Sequence, residues 1–357
     1  MVYSRTKRLG ATPKSERGVV GVRIWRGGMI GAGAWSGVQL SAWSRVANAQ
    51  IVALSDRHQD RRELAQRRFD IPGGFADPAE MLRQVELDFV DVCSRPSSHA
   101  GLVRLGADRG LPVLCQKPFC TSLEEARAVV EYCEGAGVRL MVNENYRWQS
   151  WYRTAKDVLA SGALGTPFCA VIQERARLTL PQFDHNQTYL AEMPRLIVYE
   201  LGTHHFDVMR FLFGEPKTVY ARLQKVSRHM AGEDVAHITL GYPALTAAIS
   251  ASWASVRPCA DVSAPSMVPR FEIDGTEGTL ALCEGRSLGL FRDAERKTWP
   301  VTGDVSDSQV AAQKHFVDCL ETGAEFETSG RDALATMALV YQAYRSSDES
   351  QVVAGTS

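Results

Sequence analysis

The sequence predicts an α/β protein in two parts: a doubly wound parallel sheet first, then an α+β domain built on a large, open, mainly antiparallel sheet. Three observations carry this reading. From about Val19 to Asn143, short β-rich runs alternate with amphipathic helical stretches, the pattern of a parallel sheet with right-handed crossovers. After residue 145 the texture changes to one helix followed by longer alternating runs, as in antiparallel strands covered on one face. A chain of 357 residues is also too long for one typical core and suits two.

In order, the first part reads as strands at 20–30, 50–55, 88–93, 112–116 and 138–142, separated by helices near 36–47, 59–69, 78–85, 98–108 and 123–135. Asp77-Pro78 starts one helix, Ser122 with Glu125 has the spacing of a capping box, and Gly110 and Gly137 follow helix ends. The second part reads as a helix at 149–161, strands at 217–225, 234–241, 246–254 and 270–284, and closing helices near 307–322 and 331–346. The domains are thus drawn as 19–145 and 146–357, behind a polar extension over residues 1–18. That extension holds Arg5, Lys7, Arg8, Lys14 and Arg17 without an apolar segment, so it does not read as a signal peptide.

Composition narrows the partner. Forty basic against 41 acidic residues leave a net charge of −1, which favours neither nucleic acid nor an anionic membrane, and no apolar run approaches spanning length. The eight cysteines, Cys259 among them, show no CxxC spacing, as expected of buried thiols in a reducing, cytoplasmic setting.

Three constellations carry chemistry. The first is Gly31-Ala32-Gly33-Ala34-Trp35-Ser36, which follows the apolar Met29-Ile30 and opens a helix. One glycine permits a tight turn, the next lets backbone approach a pyrophosphate, and the helix N-terminus supplies amides and positive dipole; Ser36 stands at the third glycine position, where a small residue serves. A plain glycine-rich turn is the alternative. Asp56, ending the next strand, can bind the ribose hydroxyls of NAD and repel the 2′-phosphate of NADP. It could instead cap the helix at 59, and its neighbour Arg57 could welcome that phosphate.

The second constellation lies at the carboxyl ends of two buried strands, where open α/β sheets bind ligands. Ser94, Pro96 and His99 follow one of them, and Gln116-Lys117-Pro118 the other. Lys117, directly after so apolar a strand, either snorkels outward or is held in a cleft. The third runs Glu200-Leu201-Gly202-Thr203-His204-His205-Phe206-Asp207. In a helix from Gly202, His204 and Asp207 share a face and Glu200 lies one turn earlier, so that carboxylates could tune the imidazole as a general base. A helix-capping histidine is the bland alternative. A zinc site would need further Cys or His in motif spacing, which the chain does not offer.

Together with Asn145-Tyr146-Arg147-Trp148, Phe271-Glu272-Ile273-Asp274-Gly275-Thr276-Glu277-Gly278 and the last helix, these motifs resemble the glucose-fructose oxidoreductase/inositol dehydrogenase/MocA family in order along nearly the whole chain. Only residues before 18 and those around 179–195 fall outside the likeness. The resemblance implies an N-terminal Rossmann domain and a C-terminal domain that assembles homodimers or homotetramers through its flat sheet. It also implies hydride transfer between NAD and a secondary carbinol of a sugar, glycoside or cyclitol. It makes Lys117, His204 and Glu200 catalytic, with Glu200 where the family usually has Asp and Gln116 where it usually has Glu.

On this reading His204 is the general base, Lys117 stabilises the developing alkoxide, and Glu200 orients one or both. The cofactor would touch Gly31, Gly33, Ala34, Trp35, Ser36, Asp56, Arg57, Ser94, Pro96, His99, Gln116, Lys117 and Asn145. The carbohydrate or polyol would meet Lys117, Tyr146, Arg147, Trp148, Glu200, His204 and Asp207, although Arg147 and Trp148 could equally form a domain-interface cluster. No metal is expected. NAD-assisted glycoside cleavage by transient oxidation and elimination, and a catalytically silent nicotinamide-binding sensor, are the rival functions.

Overall fold

The computed structural model describes residues 23–178, 188–256, 269–283, 287–293, 295–303 and 305–355. The polar extension, the start of the strand expected from residue 20, residues 179–187 and Cys259 lie outside the described residues.

The first sheet comprises β1 (Trp25–Ile30), β2 (Ala49–Ser55), β3 (Gly73–Phe75), β4 (Phe89–Val92), β5 (Val113–Gln116) and β6 (Leu140–Asn143). Its order is β3-β2-β1-β4-β5-β6, with every pairing parallel. Helices α1 (Ala34–Trp43), α2 (Gln59–Phe69), α3 (Pro78–Gln84), α4 (Pro96–Ala107) and α5 (Leu123–Gly135) make the crossovers. Strands this apolar need cover on both faces. Leu40, Trp43 and Ala65 of α1 and α2 pack over Met29, Ile51 and Leu54, while Met81, Val103 and Val129 of α3 to α5 pack on the other face over Val90, Val113 and Val142.

Helix α1 begins and ends earlier than the pattern suggested. Gly33 in extended backbone is its N-cap, and the apolar Val46 that prolonged the pattern is buried in the turn leading to β2. The short edge strand β3, with two glycines among three residues, gave no periodic signal. At the capping box, Ser122 Oγ accepts the Glu125 amide as expected, whereas the Glu125 carboxylate reaches back to Thr121.

The second part begins with α6 (Ser150–Ala160) and β7 (Pro167–Arg175), then α7 (Thr203–Phe213), β8 (Thr218–Gln224), β9 (Val235–Gly241) and β10 (Thr246–Ser252). It continues through β11 (Arg270–Gly275), β12 (Gly278–Cys283), β13 (Ser287–Arg292) and β14 (Glu295–Pro300) to α8 (Val305–Thr322), α9 (Gly330–Glu349) and β15 (Val353–Ala354). The nine-stranded order is β14-β13-β12-β11-β7-β10-β9-β8-β15, antiparallel except where β7 pairs with β10. The single run expected at 270–284 is a hairpin, because Gly275 to Gly278 turn the chain between β11 and β12. Strand β7 alternates, with Ala170 and Ile172 buried under α6, α7 and α9 and Cys169, Val171 and Gln173 half-buried on the opposite face.

The division at 145 separates the sheets but not the packing. Ala312, Phe316 and Val317 of α8 complete the core over Trp43 and Phe89, and Ala333 and Met337 of α9 pack on the opposite face of the first sheet. Helix α9 also packs Leu339, Val340 and Ala343 into the core of the second sheet, so one helix joins the two cores.

Candidate active site

A cleft of about 740 Å³ opens at the carboxyl ends of β1, β2, β4 and β5 and is closed on its far side by β7 and the start of α7. At one end lies the glycine-rich turn. Gly31 has a φ of +109°, and a Cβ there would stand 2.1 Å from the Cys93 carbonyl oxygen, so both conformation and packing demand glycine. A Cβ on Gly33 would meet no protein atom within 4 Å, although Gly33 lines the cleft. The missing side chain there serves the cleft rather than the core, which is what close approach of a pyrophosphate to the N-terminus of α1 requires.

Asp56 ties this turn to β2. Its Oδ2 accepts the Ala32 amide and its Oδ1 the His58 amide, each at 2.8 Å, which leaves lone pairs for ribose hydroxyls. Arg57, His58 and Arg61 line the same end. The cleft wall also includes Ala34, Trp35, Ser36, Ser94, Pro96, Gln116 and Asn145. His99 does not line the cleft. Its fully buried ring faces the Ser94 carbonyl at 3.0 Å and the Pro118 and Phe119 carbonyls at 3.1 Å, fastening the turn after β4 to the turn after β5. Burial holds its pKa below the usual imidazole value.

The other end holds Lys117, Glu200 and His204, the groups expected to react. Lys117 follows β5 through a cis peptide to Pro118, and its Nζ lies 3.0 Å from Glu200 Oε2 and 3.2 Å from the Glu200 carbonyl oxygen. Glu200 therefore orients the lysine and not His204. Residues Val198–Gly202 form a π-helical turn, wider than an α-turn, and the one-turn pairing of Glu200 with His204 does not form. His204 Nδ1 instead bonds Glu144 Oε1, and Tyr146 stacks on the imidazole with centroids 3.8 Å apart and planes 7° from parallel.

Burial, reinforced by the Lys117 charge, pushes His204 well below its usual pKa, so the ring is neutral. Burial pushes Glu144 up to about 7 against the opposing Tyr146 amide and Lys117 charge. A neutral ring that donates Nδ1–H to Glu144 keeps its lone pair on Nε2, the arrangement a general base requires.

Three expected substrate contacts are placed elsewhere. Arg147 makes a two-pronged bond to Asp207, at 2.8 and 2.5 Å, and reaches Asp332 Oδ2 at 2.8 Å, all behind the cleft. A guanidinium this buried needs carboxylate partners, and Asp207 is committed to that task rather than to His204. Trp148 packs against His315 of α8, with the Arg153 guanidinium 3.7 Å over its ring. Arg147, Asp207 and Trp148 thus belong to the interface cluster, and of this group Tyr146 alone lines the cleft.

Sequence reasoning missed Glu144, and with it Glu174, Tyr189 and Trp253, which line the same cleft as Lys117 and His204. Glu174 accepts from His205 Nε2 at 3.1 Å. Its alternating strand was the signal that could have found it. For Glu144 the signal was a carboxylate directly after the buried run Leu140–Asn143.

Residues 25–144 match the model of an oxidoreductase family with an NAD-binding Rossmann fold, and residues 152–281 match the GFO/IDH/MocA C-terminal domain. The chain is similar to D-apiose dehydrogenase of Paraburkholderia graminis, 38% identical with 93% of this chain and 90% of the relative covered. It is 36% identical to D-apiose dehydrogenase of Rhizobium rhizogenes, over 92% and 96% of the two chains. Among solved structures, an oxidoreductase from Agrobacterium radiobacter in complex with NAD+, L-tartaric acid and magnesium superposes with a TM-score of 0.87 at 35% identity, covering 92% of this chain and 98% of that one.

Proposed function

The chain belongs to the Gfo/Idh/MocA oxidoreductase family, as an NAD(P)-dependent dehydrogenase of CH–OH groups that binds NAD, and on that premise we propose that it oxidises a secondary carbinol of a sugar, glycoside or cyclitol. The observation that carries this reading is the presence of Lys117 and His204 in the same cleft as the glycine-rich turn.

NAD, when bound, supplies the hydride acceptor. A secondary alcohol is far too weak an acid to ionise near pH 7, so its proton must leave as the hydride does. His204 Nε2 takes that proton while Nδ1 remains bonded to Glu144. The Lys117 ammonium, held by Glu200, faces the oxygen on which charge develops and stabilises it. Glu174 offers a carboxylate to further hydroxyls, and Tyr189 and Trp253 offer aromatic faces to the CH side of a ring. The hemiacetal carbon of a cyclic aldose bears the same H–C–OH unit and would give a lactone by the same loss of hydride and proton, in keeping with the relatives named for D-apiose. Tyr220, 37% exposed on the outward face of the open sheet, supports assembly of at least a dimer through that face, which sedimentation at micromolar concentration tests. No helix among the described residues is long and apolar enough to cross a membrane.

The deciding experiment incubates the purified protein with NAD and D-apiose, other aldoses, glycosides and cyclitols while absorbance at 340 nm is followed. NADH formation with one of them supports the proposal. Glycoside hydrolysed without net NADH would move the assignment to oxidation-assisted cleavage. NAD binding with no turnover of any compound would make the chain a nicotinamide-binding sensor.

A further inference from the structure

The core of the first domain contains a carboxylate that the mechanism above does not use. Asp91 on β4 is fully buried, and its side-chain partners among the described residues are neutral donors. Gln39 Nε2 lies 2.5 and 2.7 Å from its two oxygens, and Trp43 Nε1 lies 2.6 Å from Oδ2. Gln39 and Trp43 sit one turn apart on α1, so a single helix face supplies both. The line of hydrogen bonds continues toward the cleft. Gln116 Nε2 donates to Gln39 Oε1 at 2.7 Å, and the Lys117 amide donates to Gln116 Oε1 at 2.7 Å.

The direction of each link follows from the one before it. A carboxylate can only accept, so Gln39 must present its NH2 group to Asp91 and its carbonyl oxygen away from it. That oxygen needs a donor, which the NH2 group of Gln116 provides. The Gln116 oxygen is then free to receive the Lys117 amide. We propose that Asp91 is a positioning residue for Lys117: it sets the orientation of Gln39 and Gln116 and so reserves an acceptor for the backbone of the lysine. It also explains why position 116 carries an amide. A glutamate there would oppose carboxylate oxygen to the Gln39 oxygen, or force Gln39 to turn its oxygen on Asp91.

The same accounting specifies a reversal. In Asp91→Asn, Trp43 still requires an acceptor, so the new NH2 group faces Gln39. Gln39 and Gln116 then both turn over, and the Lys117 amide meets a second donor. Adding Gln116→Glu repairs this, because a carboxylate accepts at both ends. Lys117 and Gln39 donate to that carboxylate, the amide introduced at position 91 donates to Gln39, and Trp43 donates to the oxygen of the same amide, leaving no member unpaired. Either substitution harms the protein alone, and each repairs the other.

The test compares the native protein, D91N, Q116E and D91N/Q116E by hydrogen–deuterium exchange of the peptide containing Lys117 and by thermal melting, with NADH formation as a third readout. The inference rests on Lys117 acting at the reacting atoms, but exchange and melting do not require a known substrate, so its failure is distinguishable from failure of the sugar reading. Exchange at Lys117 should be about tenfold faster in D91N, the worth of one lost hydrogen bond, and return to the native rate in the double variant. Q116E should melt below the native protein, and the double variant above Q116E. Where a sugar is turned over, kcat should follow the exchange rate. Melting losses that add in the double variant, or Lys117 exchange as fast there as in D91N, would overturn the proposal. If D91N does not fold, a double variant no more stable than Q116E overturns it by itself.

Discussion

His204 takes its hydrogen-bond partner from Glu144, sixty positions earlier in the chain, and not from Glu200, which precedes it by one turn. The Glu144 oxygen that receives His204 also receives the Tyr146 amide at 3.0 Å, so one carboxylate fixes both the tautomer of the ring and the residue stacked on it. In Glu144→Gln the amide oxygen can keep both bonds, but the negative charge that stabilises a developing imidazolium is gone. Turnover should fall by roughly 10–100-fold, less than the roughly 10²–10⁴-fold of the positioned base itself, with NAD affinity unchanged by calorimetry. Unchanged kcat would remove Glu144 from the site's machinery.

The same carboxyl makes stability depend on pH in a stated direction. Its pKa in the folded protein is pushed up to about 7 from an ordinary 4.5, so between those values the native state holds a proton that the unfolded chain has released. Its contribution is fully present below pH 4.5 and is lost as pH rises through 7, amounting to roughly 3 kcal/mol across the window. Denaturant melts of the native protein and Glu144→Gln at pH 5 and 8 check this. The native protein should lose more stability than the variant on going to pH 8, and parallel losses would contradict the assignment.

Adjacent histidines separate chemistry from architecture. His204→Ala should lower turnover by roughly 10²–10⁴-fold. His205 is fully buried and bonded to Glu174, so His205→Ala leaves a buried carboxylate oxygen unsatisfied and should cost stability of about 1–3 kcal/mol, with a smaller effect on kcat. Thermal melting and steady-state kinetics on both variants decide it. Full turnover in His204→Ala with none in His205→Ala would move the base by one residue.

What was legible in the sequence was whatever a local pattern encodes. Helices α2 and α5 fall at the bounds the pattern predicts, because caps such as Ser122 and amphipathic spacing are short-range signals. The GAGAWS turn and the Gln116-Lys117 pair stand in the cleft for the same reason. Partnerships across the chain were not legible. Nothing near Glu200 announces a π-helical turn that swings it to Lys117, and nothing near Arg147 announces Asp332, 185 positions away, whose charge helps draw the guanidinium out of the cleft. Strands β13 and β14 were missed because Ser287–Arg292 is buried on successive residues and Glu295–Pro300 is charged, so neither alternates cleanly.

That placement of Arg147 turns an expected binding residue into a stability residue. Arg147→Ala strands Asp207 and part of Asp332 without a counter-charge, and breaking a buried pair costs about 3–5 kcal/mol. Arg147→Lys should not rescue it, since a lysine cannot reproduce the two-pronged contact. Both variants should melt far below the native protein, and any variant that folds should keep its KM for the sugar. A raised KM at unchanged melting temperature would return Arg147 to the substrate.

A preference for NAD over NADP is expected from the position of Asp56. Its carboxylate stands at the end of β2 between the amides of Ala32 and His58, so its charge is fixed where the adenosine ribose hydroxyls would lie along a glycine-rich turn. A 2′-phosphate there would face that charge, but it would also face Arg57, His58 and Arg61, which line the same end. The carboxylate wins if it is nearer the 2′-oxygen than the guanidinium groups are, and its anchoring by two backbone amides favours it over long side chains that must be ordered to bind. NAD should therefore bind more tightly than NADP in calorimetric titrations. Asp56→Ser, which keeps a short acceptor for the Ala32 amide while removing the charge, should weaken NAD modestly and strengthen NADP by tenfold or so, about 1.4 kcal/mol, because a 2′-phosphate then meets no carboxylate at this end. The gain should shrink at high salt, as expected of exposed charges. Equal or tighter binding of NADP by the native protein would hand the decision to Arg57 and its neighbours.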